Sequence, residues 1–128
     1  MAETKRQLPG LSVLVVEDNP LIALDLEATL LELGAGEVVT AASARQAQQL
    51  IAAKAFDMAF IDVKLGESTS IPIAEALHTA GVPFAFATGT DPGAIPAELQ
   101  QYPILLKPYQ RSAIDAVWQQ LCTMSRKR

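Results

Sequence analysis

Two adjacent acids, Glu17 and Asp18, directly follow the apolar run LSVLVV, which has the length of a buried strand. At about 4 Å and an effective dielectric constant of about 20, two such charges repel by about 4 kcal/mol. The pair therefore needs a compensating positive charge, or its members must separate into solvent. An acidic pair after a strand is usually a solvated loop, so its meaning depends on which residues lie near it.

Three more apolar segments of strand length also end in polar residues that could do chemistry. Asp62 lies near the end of DMAFIDV, Thr88 ends PFAFAT and Lys107 ends YPILLK. Taken singly, each has an ordinary explanation as a helix cap, a strand residue or a surface lysine. The joint pattern, with a polar residue at successive strand ends, indicates a shared site.

The rest of the sequence alternates between strand and helix patterns. We predict strands at 11–16, 37–42, 57–63, 83–88 and 102–107, and helices at 20–34, 43–55, 70–81 and 109–124. Because the strands are apolar throughout and helices separate them, a parallel sheet covered on both faces is expected. Right-handed crossovers then favour an α/β fold with a doubly wound five-stranded parallel sheet in the order 2-1-3-4-5, a flavodoxin-like three-layer sandwich.

Helix signals are clear at several of these boundaries and fail at one. Ser43 and Ser70 occupy cap positions, and Gly81 follows the third helix. The segment 89–101 contains Pro92, Gly93 and Pro96, which disfavour a full helix. We expect a mobile loop with a weak or short fourth helix, at most 95–100.

In doubly wound sheets, ligands bind at the carboxyl ends of the strands. The fold therefore predicts that Glu17, Asp18, Asp62, Thr88 and Lys107 meet at one rim. Three carboxylates in one pocket repel, and a hard divalent cation such as Mg²⁺ relieves that repulsion through oxygen ligands. The amine of Lys107 adds a positive charge, which together with the cation would counter the charge on a transferring phosphoryl group. A carboxylate held in this way is a competent nucleophile toward phosphorus.

Composition limits the class of protein. The 128 residues suit one domain, 50% of them are apolar, and the formal net charge is −4 with basic residues concentrated at the termini. An acidic body argues against nucleic-acid binding. We assign 1–8 as an N-terminal tail, 9–124 as the domain and 125–128 as a basic C-terminal tail.

The sequence also favours a cytoplasmic protein. Cys122 is the single cysteine, so no internal disulfide can form, which is compatible with a reducing compartment. No apolar run approaches the roughly 18 residues of a membrane span, and the first ten residues lack the apolar region of a signal peptide.

The segments VVEDNP, FIDV, FAT and LLKPY resemble those of the response-regulator receiver domain, a CheY-like family, and the resemblance extends from about Leu11 to Met124. It implies a regulator of a two-component phosphorelay that accepts a phosphoryl group from a sensor histidine kinase. Such a protein is not a conventional enzyme but catalyses its own phosphorylation and dephosphorylation. It either signals through contact with a downstream protein, unknown here, or serves as a phosphate sink.

The resemblance also implies roles for individual residues. Asp62 would be the phosphoacceptor, and Mg²⁺ would be bound by Asp18, by the backbone carbonyl of Lys64, by Asp62 itself, and by Glu17 mainly through water. Thr88 would be the switch hydroxyl that turns toward the phosphoryl group, and Lys107 would pair with that group. In receivers, the peptide bond between this lysine and the following proline is typically cis.

Within the family, PFAFATGT together with LGESTSIPIAEALHTAGVPF is similar to stand-alone bacterial receivers with a Phe-Ala-Thr-Gly signature, called FAT GUY regulators. The sequence ends after the last predicted helix, so no output domain is expected. Thr90 departs from the usual aromatic or small residue of that group. Ile104 stands where many receivers have an aromatic switch residue, and strand alternation predicts that Tyr102 shares its face.

Three other functions compete with this interpretation. A flavodoxin-like ligand-binding module would need a Gly-, Ser- or Thr-rich phosphate loop after the first strand, where this chain has EDNP. A DxD phosphatase would need an acid at the position of Lys64. A constitutive interaction module without phosphotransfer would not require the set of Asp18, Asp62, Thr88 and Lys107.

Overall fold

The computed structural model describes residues 10–65, 68–89 and 95–126, which form a five-stranded sheet flanked by helices. All neighbouring strands of this sheet are parallel, and their order is β2-β1-β3-β4-β5, which confirms the predicted doubly wound fold. The strands are β1 Ser12–Val16, β2 Glu37–Ala41, β3 Met58–Asp62, β4 Phe84–Thr88 and β5 Ile104–Leu106. The helices are α1 Pro20–Leu33, α2 Ala44–Ala53, α3 Ile71–Ala80 and α4 Arg111–Arg126.

The core lies on both faces of the sheet because successive strand residues point to opposite sides. In β1, Leu14 and Val16 belong to the core cluster that contains Phe84 and Phe86. Val13 and Val15 belong to a second cluster on the other face. Every residue of β1, β3 and β4 is buried, as expected for central strands of a sheet that helices cover on both faces. Trp118, predicted to be a core residue, packs in the second cluster and is 5% exposed.

The starts of α1 and α2 follow the cap signals in the sequence. The Asn19 side chain accepts hydrogen bonds from the backbone N–H groups of Leu21 and Ile22 at 3.0 and 3.2 Å, and Pro20 takes the first helical position. Ser43 caps α2 through the N–H of Gln46 at 3.1 Å. These caps fix where the chain leaves the sheet and turns into each helix.

Ser70 precedes α3 as predicted, but its side chain makes no capping hydrogen bond. The residue is fully buried, and its hydroxyl donates to the backbone carbonyl of Val63 at 3.4 Å. A short antiparallel ribbon of Lys64–Leu65 and Ser68–Thr69 precedes it, and the sequence pattern did not indicate this ribbon. Ser70 thus ties the start of α3 to the end of β3.

The prediction of a short fourth helix is confirmed by a single 3₁₀ turn at Ala97–Leu99. Residues 90–94 of the expected mobile loop lie outside the described part of the chain. The predicted tail 1–8 and residues 127 and 128 lie outside it as well. Residues 125 and 126 continue α4, so the last helix is two residues longer than the predicted 109–124 at its C-terminal end.

Among the described helices, none combines the length and the apolar character that crossing a bilayer requires.

Tyr102 and Ile104 differ in their exposure, and the expectation that they share a face stays a prediction. Tyr102 is buried and stacks on Phe84 with ring centroids 3.9 Å apart, whereas Ile104 is exposed. Tyr102 lies two residues before β5, in the core cluster that contains Phe84, whereas Leu105 of β5 lies in the second cluster. The Tyr102 hydroxyl lies 2.6 Å from Nδ1 of His78, an exposed residue in the last turn of α3, so this histidine has a specific partner.

We expect Tyr102→Phe to lower the free energy of unfolding by about 1 kcal/mol, because a partly buried hydrogen bond is lost while the ring stacking remains. Urea denaturation measures the change. In a His78→Ala background, the same substitution should cost almost nothing. An equal cost in both backgrounds would show that the contact with His78 does not contribute.

Candidate functional site

The candidate site is built at the carboxyl end of the sheet, where four strands deliver polar residues. Glu17 directly follows β1, Asp62 ends β3, Thr88 ends β4 and Lys107 directly follows β5. Backbone hydrogen bonds extend the ladders through two of these positions. The N–H of Glu17 donates to Ala41 at 2.9 Å, and the N–H of Lys107 donates to Thr88 at 2.9 Å. The sheet therefore fixes where these side chains start.

The ammonium group of Lys107 lies between two acids. Its Nζ is 2.8 Å from Oε1 of Glu17 and 2.9 Å from Oδ2 of Asp62. The side chains of Glu17 and Asp62 are only 2% and 10% exposed, so this ammonium compensates carboxylates that have lost most of their contact with water. Hydrogen bonds between oppositely charged groups are shorter and stronger than neutral ones, which suits this position.

The two adjacent acids differ in exposure: Glu17 is buried and Asp18 is exposed. Burial raises the pKa of Glu17 above its ordinary 4.5, and the nearby charge of Asp62 adds to this. The hydrogen bonds from Lys107 and from the backbone of Asn19 oppose the increase without cancelling it. The repulsion expected between the acids is thus countered by the ammonium of Lys107 at Glu17 and by contact with solvent at Asp18.

Lys107 and Tyr109 both keep their protons at neutral pH. Burial is the largest influence on Lys107 and lowers its pKa, but the hydrogen bonds to Asp62 and Glu17 and their negative charges outweigh it, so the net shift is upward. The pKa of Tyr109 is raised by burial and, to a smaller extent, by the charges of Glu17 and Asp62. The lysine therefore remains an ammonium group, and the tyrosine remains a hydroxyl donor.

The acidic residues of the rim fit a divalent cation. Glu17, Asp18 and Asp62 each offer a carboxylate oxygen, and these three oxygens lie within 4.8 Å of one another. Oxygen donors are the ligands that Mg²⁺ prefers. Three ionised carboxylates and the one ammonium of Lys107 leave two net negative charges, which a divalent cation would balance. The donor set thus matches the cation in both chemistry and charge.

Asp62 is held on both of its oxygens. Oδ1 accepts the backbone N–H of Lys64 at 3.2 Å, and Oδ2 accepts the ammonium of Lys107. Thr88 is 4% exposed at the neighbouring strand end, where the predicted rim places it. The backbone carbonyl of Lys64 remains a predicted metal ligand.

Asn19 and Tyr109 also contact Glu17, although the sequence analysis gave neither a role in the site. The N–H of Asn19 donates to Oε2 of Glu17 at 3.1 Å, and the Tyr109 hydroxyl donates to Oε1 at 3.4 Å. The position of Asn19 could have been found from its place as a helix cap before Pro20. Tyr109 ends the segment LLKPY, but the sequence does not indicate its contact with Glu17, because the two residues lie 92 positions apart.

Comparison with protein families decides the identity of the fold. Residues 13–118 match the model of the response regulator receiver domain. The chain belongs to this family. Among curated proteins, none matches the sequence.

Solved receiver structures resemble the chain over most of its length. The BeF₃-activated conformation of SdrG from Pseudomonas melonis Fr1 is 33% identical, with 84% of this chain and 92% of that chain covered and a TM-score of 0.72. A CheY-like receiver domain from Methylobacillus flagellatus is 19% identical, with 88% and 98% covered and a TM-score of 0.75. The anti-anti-sigma factor PhyR from Bartonella quintana is 23% identical with a TM-score of 0.77; 98% of this chain is covered but only 53% of PhyR.

Replacing Lys107 by Met should destabilise this receiver domain by about 3 kcal/mol at pH 7, because Glu17 and Asp62 would remain buried without their counter-charge. The loss should shrink as the pH falls. The pKa of Glu17 is already raised, so the folded protein binds its proton more tightly than the unfolded chain and gains stability as this group protonates. Urea denaturation at pH 7 and near pH 4 measures both effects.

Lys54→Met is the matched control for this substitution. Lys54 pairs with Glu37 at 2.8 Å, but both side chains are well exposed, so removing its charge should cost far less stability than the loss of Lys107 at either pH. If the two substitutions had equal cost, the ammonium of Lys107 would contribute no more than a surface ion pair.

Asp18→Asn should weaken Mg²⁺ binding by more than about tenfold, since a candidate ligand is lost. It should also stabilise the metal-free protein slightly, because one of three clustered negative charges is removed. NMR titration with Mg²⁺ and thermal unfolding without metal measure the two effects. The control is Asp115→Asn, which removes one acid from an exposed position of α4 and so changes the charge by the same amount. Undiminished Mg²⁺ affinity in Asp18→Asn would contradict the assignment of this residue.

Proposed function

We propose that this receiver domain works in the cytoplasm and accepts a phosphoryl group on Asp62 from the phosphohistidine of a sensor histidine kinase, with Mg²⁺ bound beside it. The observation that carries the proposal is the ammonium of Lys107 within hydrogen-bonding distance of Asp62, at the rim where three acids converge. A lone acidic cluster would repel a phosphoryl group. An acidic cluster with a built-in ammonium and room for a divalent cation attracts one.

In the transfer step, an oxygen of Asp62 forms a bond to phosphorus while the P–N bond of the donor breaks. The imidazole of the donor leaves with the electron pair of that bond. Lys107 lies where it can exchange its bond to Asp62 for one to a phosphoryl oxygen. Its retained bond to Glu17 would keep the ammonium at the rim during this exchange.

Mg²⁺, when bound, would supply positive charge to the phosphoryl oxygens. Asp18 and Asp62 would hold it directly, with the backbone carbonyl of Lys64 as the third protein ligand and Glu17 acting mainly through water. Thr88 would turn its hydroxyl toward the new phosphoryl group. This step would carry the signal from the rim into the segment after β4.

The same groups would let the protein catalyse its own phosphorylation from small donors and its own dephosphorylation by water. The output would be contact with a downstream protein or removal of phosphate from the kinase. The motif PFAFATGT supports membership in the Phe-Ala-Thr-Gly subgroup of bacterial receivers. SdrG, 33% identical to this chain, has been solved in a BeF₃-activated conformation, which supports beryllofluoride as a mimic of the aspartyl phosphate here.

The test is phosphorylation by phosphoramidate, a small donor with the same P–N bond type as phosphohistidine. Wild-type protein should gain one phosphoryl group in the presence of Mg²⁺, and chelation of the metal should abolish the gain. Asp62→Asn should remain unmodified, because the amide is not a nucleophile of this kind. Intact-mass measurement and acid-lability of the product provide the readout.

Asp115→Asn, which removes an exposed acid from α4, is the matched control and should be modified like the wild type. Phosphorylation of Asp62→Asn at the wild-type level would refute the assignment of the acceptor. If the wild type is not modified at all but binds Mg²⁺, the metal site would stand without the phosphotransfer.

A further inference from the structure

The carboxylate of Glu17 is held by three donors, which are unequally distributed over its two oxygens. Oε1 lies 2.8 Å from the ammonium of Lys107 and 3.4 Å from the hydroxyl of Tyr109. Oε2 accepts the backbone N–H of Asn19 at 3.1 Å. A carboxylate oxygen offers about two acceptor positions. Two of the three donors thus converge on Oε1, and the backbone N–H of Asn19 meets Oε2.

Tyr109 reaches this carboxylate from the segment between β5 and α4. Its ring packs against the core cluster that contains Val15, Trp118 and Leu121, so the side chain is anchored by apolar contacts. Its hydroxyl is a donor at neutral pH, and the acceptor it meets is a charged oxygen. The distance of 3.4 Å is longer than a typical O–H···O bond, so the contact is weak as it stands and can shorten.

We propose that Tyr109 is a positioning residue of the magnesium site: with Lys107 it saturates Oε1 of Glu17 and so directs Oε2 toward the cation and its water. This inference rests on the proposed function, because it presupposes that Mg²⁺ binds at the rim. The hydroxyl of Tyr109 meets the carboxylate of Glu17. It acts through Glu17 alone.

The arrangement explains how a buried carboxylate can present one defined oxygen to a metal. Without the hydroxyl, Oε1 would face an apolar ring edge on one side and carry a vacant acceptor position. The carboxylate could then rotate to satisfy it, and the bond from Asn19 to Oε2 would be disturbed. Residues that orient metal ligands in this way affect metal affinity although they do not bind the metal.

The test compares Tyr109→Phe with Tyr102→Phe. Both substitutions remove one phenolic hydroxyl from a packed ring, but the hydroxyl of Tyr102 meets His78 instead of an acid. We expect Tyr109→Phe to weaken Mg²⁺ binding by about tenfold, the lower end of the range for residues behind a ligand. Tyr102→Phe should bind Mg²⁺ like the wild type. NMR titration with Mg²⁺ alone gives the affinities and requires no phosphotransfer.

A second readout is the carboxyl carbon resonance of Glu17 together with the amide proton of Asn19, both in the metal-free protein. A loss of orientation should shift both in Tyr109→Phe and leave them unchanged in Tyr102→Phe. In a Glu17→Gln background, Tyr109→Phe should cause no further loss of Mg²⁺ affinity, because the residue acts through this carboxylate. If Tyr109→Phe does not fold, this carbon resonance, followed in the wild type during a Mg²⁺ titration, still tests the inference.

The outcomes separate the inference from the function on which it rests. A wild-type protein that binds no Mg²⁺ would refute the proposed metal site. A wild type that binds, with Tyr109→Phe binding within about twofold of it and with unshifted resonances, would refute only the role of Tyr109. Equal loss in both tyrosine variants would mean that packing, not the hydroxyl on Glu17, is responsible. A Glu17 resonance unmoved by Mg²⁺ in the wild type would also refute that role.

Discussion

The ammonium of Lys107 between Glu17 and Asp62 is the interaction on which the rim depends. Two carboxylates at the end of a buried sheet would each bear a desolvation cost and would repel each other. One ammonium, 2.8 and 2.9 Å from them, reduces both costs with a single side chain. The arrangement works only if the ends of β1, β3 and β5 are held at fixed separations, which the parallel ladders ensure.

The elements around the sheet contribute by directing the chain away from this rim. The side chain of Asn19 caps α1, and its backbone N–H holds Glu17, so one residue both starts the helix and orients an acid. On the other side, Lys107 continues the ladder to Thr88 before the chain turns at Pro108. Each polar side chain is therefore positioned by backbone contacts within two residues of it. Such short connections make the site part of the sheet and not of a flexible loop.

The sequence predicted the sheet well because its signals are local and strong. Buried parallel strands are continuous apolar runs, and the strand that ends on Asp62 illustrates this directly. The meeting of polar residues at one rim could be predicted from the topology, since the carboxyl ends of parallel strands lie on the same side of the sheet. The His78–Tyr102 pair could not be predicted, because the contact joins α3 to the segment before β5 and depends on how the short 3₁₀ turn places Tyr102.

Glu17 and Asp18 are adjacent in sequence and occupy different electrostatic environments. Glu17 loses its water and is compensated by protein donors, and its pKa rises because burial outweighs them. Asp18 is exposed, so water solvates its side chain at little cost in free energy when no cation is bound. Its carboxylate oxygen nevertheless lies within 4.8 Å of oxygens from Glu17 and Asp62. Had both acids been buried, one ammonium could not have compensated three carboxylates. Had both been exposed, nothing would have fixed their oxygens for a cation. One buried and one exposed acid give the rim both a rigid acceptor and an accessible charge.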